Sequence, residues 1–103
     1  MVKKRKPTSP GTIIEEHYIK PLDISKTDFA KALGIARNTL YKILDGRTRI
    51  TADMAVRLSR LLKTSPELWL NLQQKYDIWE AENDRSLRSE NIRPLAELVA
   101  HPK

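Results

Sequence analysis

A single glycine between two short amphipathic stretches limits this chain more than any other feature. Lys26 to Leu33 puts Phe29, Ala30 and Leu33 on one helical face, and Ala36 to Leu44 does the same with Leu40, Ile43 and Leu44. Gly34 supplies the left-handed backbone that turns the chain within three or four residues. Ala30, four residues before that glycine, is small enough for the second helix to approach closely. Leu40, ten residues after Ala30, is the apolar contact that fixes the angle between the helices, with Phe29, Leu33, Ile35 and Ile43 in support. The spacing describes two short helices packed across a tight turn, the geometry of a helix-turn-helix. The same hairpin also occurs as a purely structural element that binds no nucleic acid.

The flanking sequence is helical too. From Gly11 the residues Ile13, Ile14, His17 and Tyr18 recur at helical spacing until Pro21, where the run is expected to stop. Ser25 with Asp28 approximates a capping box at the start of the first motif helix. Asp45-Gly46 signals a turn. Thr51 reads as the N-cap of a fourth helix through Leu62, with Met54, Ala55, Leu58, Leu61 and Leu62 inward. Ser65-Pro66 opens a fifth helix reaching Glu82, because proline at the first helical position sacrifices no needed hydrogen bond. Beyond Asn83 the pattern breaks, apart from a short helix expected near Pro94 to Val99. No stretch alternates with period two, so the fold class is all-α. Residues 1–10 are expected to form a flexible basic arm, 11–82 a five-helix domain ending in a dimerisation helix, and 83–103 a C-terminal tail.

At 103 residues the chain holds one domain with one modest core. It has no apolar run near the roughly 20 residues that span a bilayer and nothing like a signal-peptide core, so a soluble cytoplasmic protein without a membrane partner is expected. It has no cysteine, and His17 and His101 are far apart, which excludes thiolate chemistry and leaves no metal cluster. None of the motifs G-x-x-x-x-G-K-[ST], G-x-G-x-x-G or H-E-x-x-H is present. Glu15 and Glu16 are neighbours and diverge by about 100° on a helix. Neither an enzyme nor a cofactor is expected. The net charge of +6 is unevenly placed: +2 over residues 1–24, +6 over 25–63 and −2 over 64–103. That gradient fits a polyanion-binding centre beside a region with another role, or simple solvation of the middle segment.

Removing the core-facing positions from the second motif helix leaves Arg37, Asn38, Thr39, Tyr41 and Lys42 outward. Arginine makes two hydrogen bonds to a guanine edge, asparagine two to adenine, and threonine reaches a base or a thymine methyl. Arg37, Asn38, Thr39 and Lys42 are the expected base contacts, at the end that a recognition helix pushes into the major groove. Ser25, Lys26 and Thr27 at a helix start, Tyr41, and Arg47, Thr48 and Arg49 on the following loop are the expected phosphate contacts, which set register without reading sequence. On the fifth helix Trp69, Leu72, Tyr76 and Trp79 recur at spacings of three, four and three. This aromatic stripe exceeds what so small a chain needs for its own core and is expected to form a homodimer interface. A twofold dimer sets two recognition helices about 34 Å apart on a pseudo-palindromic site.

Three segments carry a family resemblance: GIARNTLYKILDGRTRIT (34–51), ADMAVRLSRLL (52–62) and SPELWLNLQQKYDIW (65–79). Over about residues 10–82 the chain resembles the HigA (VapI-like) antitoxins of the Xre-type, phage-repressor-like helix-turn-helix superfamily. The Ser-Pro-Glu-Leu-Trp-Leu-Asn-Leu-Gln run is the most family-specific part. The resemblance implies a DNA-binding antitoxin of a type II toxin-antitoxin system that represses its own operator as a dimer. It also implies a HigB-type, RelE-like mRNA endonuclease as toxin. A freestanding Xre-type repressor without a toxin is the alternative. A basic toxin would seek acidic surface, for which Glu15 and Glu16, or Glu80, Glu82 and Asp84, are candidates. The arm with the first helix, and the tail from Arg85 to His101, are candidate docking segments.

Overall fold

Four side-chain hydroxyls start the main helices. Ser9, Ser25, Thr51 and Ser65 accept hydrogen bonds from the backbone N–H three residues on, at Thr12 (3.2 Å), Asp28 (3.0 Å), Met54 (3.3 Å) and Leu68 (3.1 Å). Each satisfies a donor that the first helical turn leaves unpaired. The computed structural model describes residues 5–84 and 91–99, and its regular structure among those residues is entirely helical. The elements are α1 (Pro10–Ile14), a π-helical turn (Glu15–Ile19), α2 (Lys20–Leu22), α3 (Lys26–Leu33), α4 (Arg37–Leu44), α5 (Ala52–Leu62), α6 (Pro66–Glu82) and α7 (Leu95–Val99).

The first three elements form one helical run, which departs from expectation at both ends. It starts at Pro10, one residue earlier than expected, with Ser9 as cap. It passes through Pro21 to Leu22 and ends where Asp23 takes left-handed angles (φ 53). The widened π turn comes immediately before Pro21, with the Lys20 N–H reaching back to the Glu15 carbonyl. In a regular helix the proline ring would press on the carbonyl four residues back, and the π turn carries the chain past that obstacle. The extra residue also shifts the buried face. Ile19 is buried five residues after Ile14, and His17 is exposed.

α3 and α4 have the expected limits, with Ala36 as the residue before α4 rather than within it. Gly34 ends α3 at φ 74, and a Cβ there would lie 2.9 Å from Arg57 Nη1. Arg57 donates to the carbonyls of Leu33 (2.8 Å) and Gly34 (3.3 Å), and Asp53 fixes its Nε at 2.9 Å. An α5 side chain therefore covers the carbonyl end of α3 that the turn would otherwise leave bare. The core gathers Ile14, Ile19, Phe29, Ala30, Leu33, Leu40, Ile43, Leu44, Ile50, Met54, Ala55, Leu58 and Trp69. α7 begins just past Pro94, as expected, and its apolar residues are exposed. Residues 1–4 of the arm and Arg85 and His101 of the tail lie outside the described residues.

Gly11 marks a close backbone approach between α1 and α4. A Cβ at this position would fall 2.8 Å from Leu44 Cα and inside contact distance of the Ile43 carbonyl oxygen. Backbone meets backbone there, so no flexible side chain can give way. Gly11→Ala should lose about 1–3 kcal/mol of stability by overpacking, measured by urea denaturation. An unchanged midpoint would show that α1 can lift off α4 freely.

Candidate nucleic-acid interface

α4 buries Leu40, Ile43 and Leu44. At about 100° per residue, the opposite face centres on Asn38 and Lys42, with Tyr41 and Thr39 on its flanks. Asn38, Tyr41 and Lys42 are exposed and Thr39 is half-buried. Arg37 in the first turn is exposed, and its Nη1 donates to Thr27 Oγ1 at 3.3 Å. That bond joins the starts of α3 and α4.

The α3 start is organised from several directions. Ser25 caps it, and Lys26 Nζ lies 3.2 Å from Glu15 Oε2 and 5.6 Å from the Tyr41 ring centroid. Lys20, Ser25, Lys26, Thr27 and Tyr41 share the lining of one open hollow. A hydrogen bond from the exposed Lys20 ammonium to Glu16 at 2.8 Å, reinforced by the charge of that carboxylate, raises the lysine above its usual pKa. Ser25, Lys26, Thr27, Arg37 and Tyr41 thus form one continuous surface.

The loop after α4 is folded back on the helix, since the Lys42 carbonyl accepts from Arg47 N–H (2.8 Å) and Thr48 N–H (3.2 Å). Gly46, at φ 76 with open space around it, allows that reversal. Arg47, Thr48 and Arg49 are all exposed. Arg47 pairs with Asp45 at 3.0 Å, and Arg49 with Asp77 of α6 at 2.8 Å. The base of the loop is held by Gln73, whose Oε1 accepts from the Ile50 N–H at 2.8 Å while its Nε2 donates to Asp77 Oδ1 at 2.9 Å.

A model of the helix-turn-helix family matches residues 17–69, which include α3, the turn, α4 and α5. An HTH-type transcriptional regulator of Haemophilus influenzae is 40% identical over 92 residues, covering 87% of this chain and 86% of that one. Antitoxin HigA-1 of Vibrio cholerae is 33% identical over 92 residues, covering 89% and 87%. The Pseudomonas aeruginosa antitoxin HigA, solved with the higBA promoter, superposes with a TM-score of 0.77 at 34% identity, covering 86% of this chain and 98% of that one. The chain belongs to the HigA family of Xre-type helix-turn-helix proteins. That family comprises DNA-binding regulators and antitoxins and is not an enzyme family.

In this HigA-family chain the residues expected at DNA lie at the α3 start, on the α4 outer face and on the following loop. The expected dimer stripe is not equally available. Trp69 is 0% exposed, tilts against the Tyr18 ring at 6.1 Å and donates from Nε1 to Thr64 Oγ1 at 2.7 Å. It belongs to the core of its own chain and has no surface for a partner, so its assignment to the interface is corrected. Leu72 packs partly against the same core, and Tyr76 and Trp79 lie 5.7 and 5.6 Å beneath Lys6 of the arm. Free apolar surface on α6 lies elsewhere, at Leu68 (40% exposed) and Ile78 (46%).

Sequence reasoning missed Gln73, Asp77, Arg57 and Gly11. Only Gln73 left a trace, as a polar residue four places after Trp69 on the inward side of the fifth helix. No helix of the described residues is long and apolar enough to cross a membrane, and those residues contain no metal-holding cluster of three or more His, Asp or Glu.

Proposed function

We propose that this chain is a dimeric, cytoplasmic autorepressor and antitoxin. It binds its operon's operator and neutralises a HigB-type, RelE-like endonuclease, and it uses no cofactor. One observation carries the DNA half: the outer face of α4 bears Asn38 and Lys42, with Arg37 and Thr39 near its leading end, and cations flank both ends of the helix. In this reading Arg37, Asn38, Thr39 and Lys42 contact bases. Ser25, Lys26, Thr27, Tyr41, Arg47, Thr48 and Arg49 contact phosphates. Support comes from the Pseudomonas aeruginosa HigA solved with promoter DNA. The toxin half rests on similarity to proteins named as antitoxins. A freestanding repressor is the second reading, favoured by the Haemophilus influenzae relative's description as a transcriptional regulator.

A twofold dimer that sets recognition helices about one DNA turn apart needs its axis near the loop after α4. The flank of α6 beside that loop carries Leu70, Gln74 and Ile78, which share a hollow with Arg49 and Ile50. We place the dimer seam along that flank, with residues 1–10 as arm and 83–103 as tail.

Co-expression with the neighbouring gene product, followed by a gel shift on the operon's promoter, tests both halves. A stable complex and a shift are expected. A shift without any partner would leave a plain repressor. Arg37→Ala should lose about 1–3 kcal/mol of specific binding and relax discrimination at one base pair, measured by fluorescence anisotropy on the operator and on single-base variants. Unchanged operator affinity would remove Arg37 from the reading face.

A further inference from the structure

Arg49 stands on the loop assigned to DNA phosphates, yet its guanidinium already holds an anion. Asp77 Oδ2 lies 2.8 Å from Arg49 Nη2, the ordinary separation of an arginine from a phosphate oxygen. The carboxylate is firmly placed. Its other oxygen accepts from Gln73 Nε2 at 2.9 Å, and Gln73 accepts from the Ile50 N–H at 2.8 Å. Gln73 is a buried polar side chain, 9% exposed, and both ends of its amide are used. Because the Ile50 N–H must meet an oxygen, the amide orientation is fixed and its NH2 must face Asp77. The Arg49 side chain, by contrast, is largely solvent-exposed.

We propose that Asp77 is an internal phosphate mimic that restrains DNA affinity, with Gln73 as the residue that positions it. This inference rests on the DNA-binding reading above. Every duplex offers Arg49 a phosphate, and to take it the guanidinium must leave a carboxylate already at hydrogen-bond distance. The remaining charge of Asp77 also repels the nearby backbone. Both effects weaken binding to any sequence. Phosphate attraction makes up nearly all of non-specific binding but only part of operator binding, which adds base contacts. A uniform reduction of the phosphate term lowers affinity for unrelated DNA and for the operator by the same factor, so non-specific occupancy falls while the base contacts alone set the ratio between them. Gln73 ties this restraint to the fold, because the bond that aims Asp77 also fixes the backbone at Ile50, next to Arg49.

The test is a double-mutant cycle with the full-length chain, using its own promoter duplex and an unrelated duplex of equal length. Asp77→Asn keeps the side-chain shape and an acceptor for Gln73 but removes the charge. It should tighten binding to the unrelated duplex by about two- to fivefold, and the dependence of log affinity on log salt should steepen by about 1. With Arg49→Ala in place, the same substitution should lose the steepening, a result that mere stabilisation of the fold would not give. If Asp77→Asn melts early, Asp77→Ser removes the same charge and serves in its place. Parent and variant binding both duplexes with equal slopes would overturn the restraint and leave the DNA-binding reading intact. Steepening that persists without Arg49 would overturn the pairing as its cause. A parent chain that shifts neither duplex would overturn the DNA-binding reading itself, and the restraint with it.

Discussion

Replacing Trp69 with alanine should lower folding stability by about 3–5 kcal/mol. The indole is the largest of the fully buried side chains, and it closes the space between the first helical run, through Tyr18, and the α5–α6 junction, through Thr64. Truncation opens a cavity that rigid helices on several sides cannot collapse, and it strips Thr64 Oγ1 of its donor. Trp69→Phe, which keeps much of the volume and loses only the N–H, should cost markedly less. Urea denaturation gives the stabilities, and sedimentation of the folded variant gives its self-association, expected to match the parent. Altered self-association with unchanged folding stability would return Trp69 to the dimer interface.

For each protomer engaged, operator affinity should fall by about 500- to 2000-fold between 50 and 200 mM salt. That range corresponds to five or six neutralised phosphates, each contributing about 0.9 to the slope of log affinity against log salt. The cations available are Lys26, Arg37, Lys42, Arg47 and Arg49, joined by the N–H groups at the α3 start. Three of them already have acidic neighbours, Lys26 with Glu15, Arg47 with Asp45 and Arg49 with Asp77. The Lys26 and Arg47 pairs should yield to a phosphate backbone, whereas the Asp77 carboxylate is only 26% exposed and holds Arg49, so four cations with the α3 N–H groups should set a slope at the lower end of that range. Anisotropy titrations over that salt range give it directly. A slope of about −2 would mean that most of these cations stay with their acidic neighbours.

The elements legible from sequence were those with local causes. Ser25, Thr51 and Ser65 reach only three residues ahead, and Gly34 acts on its own dihedral, so caps and turns needed no knowledge of the rest of the chain. Asn38 and Lys42 were readable as outward because Leu40, Ile43 and Leu44 claimed the other side. The π turn was not readable, since Ile14 and Tyr18 fit a regular helix equally well and only packing decides that Ile19 goes inward. Gln73 shows in the sequence only as a polar residue on the inward side of its helix, with no sign of its role, because its partner is a backbone N–H 23 residues away. Trp69 was misassigned for a related reason. Counting aromatics on one helix shows how much apolar surface there is but not which neighbour covers it, and the Tyr18 ring that covers it lies 51 positions earlier in the sequence.

The bare contact of Gly11 with the end of α4 has a thermodynamic consequence. With no side chain between them to absorb displacement, the first helical run and α4 form one mechanical unit. A protein ligand that gripped and shifted the first would alter the second, changing affinity for DNA by some factor. Linkage then requires DNA to change the affinity for that ligand by the same factor. The sign of the coupling between a toxin held there and the operator is therefore measurable from either side, by titrating toxin with DNA present or DNA with toxin present.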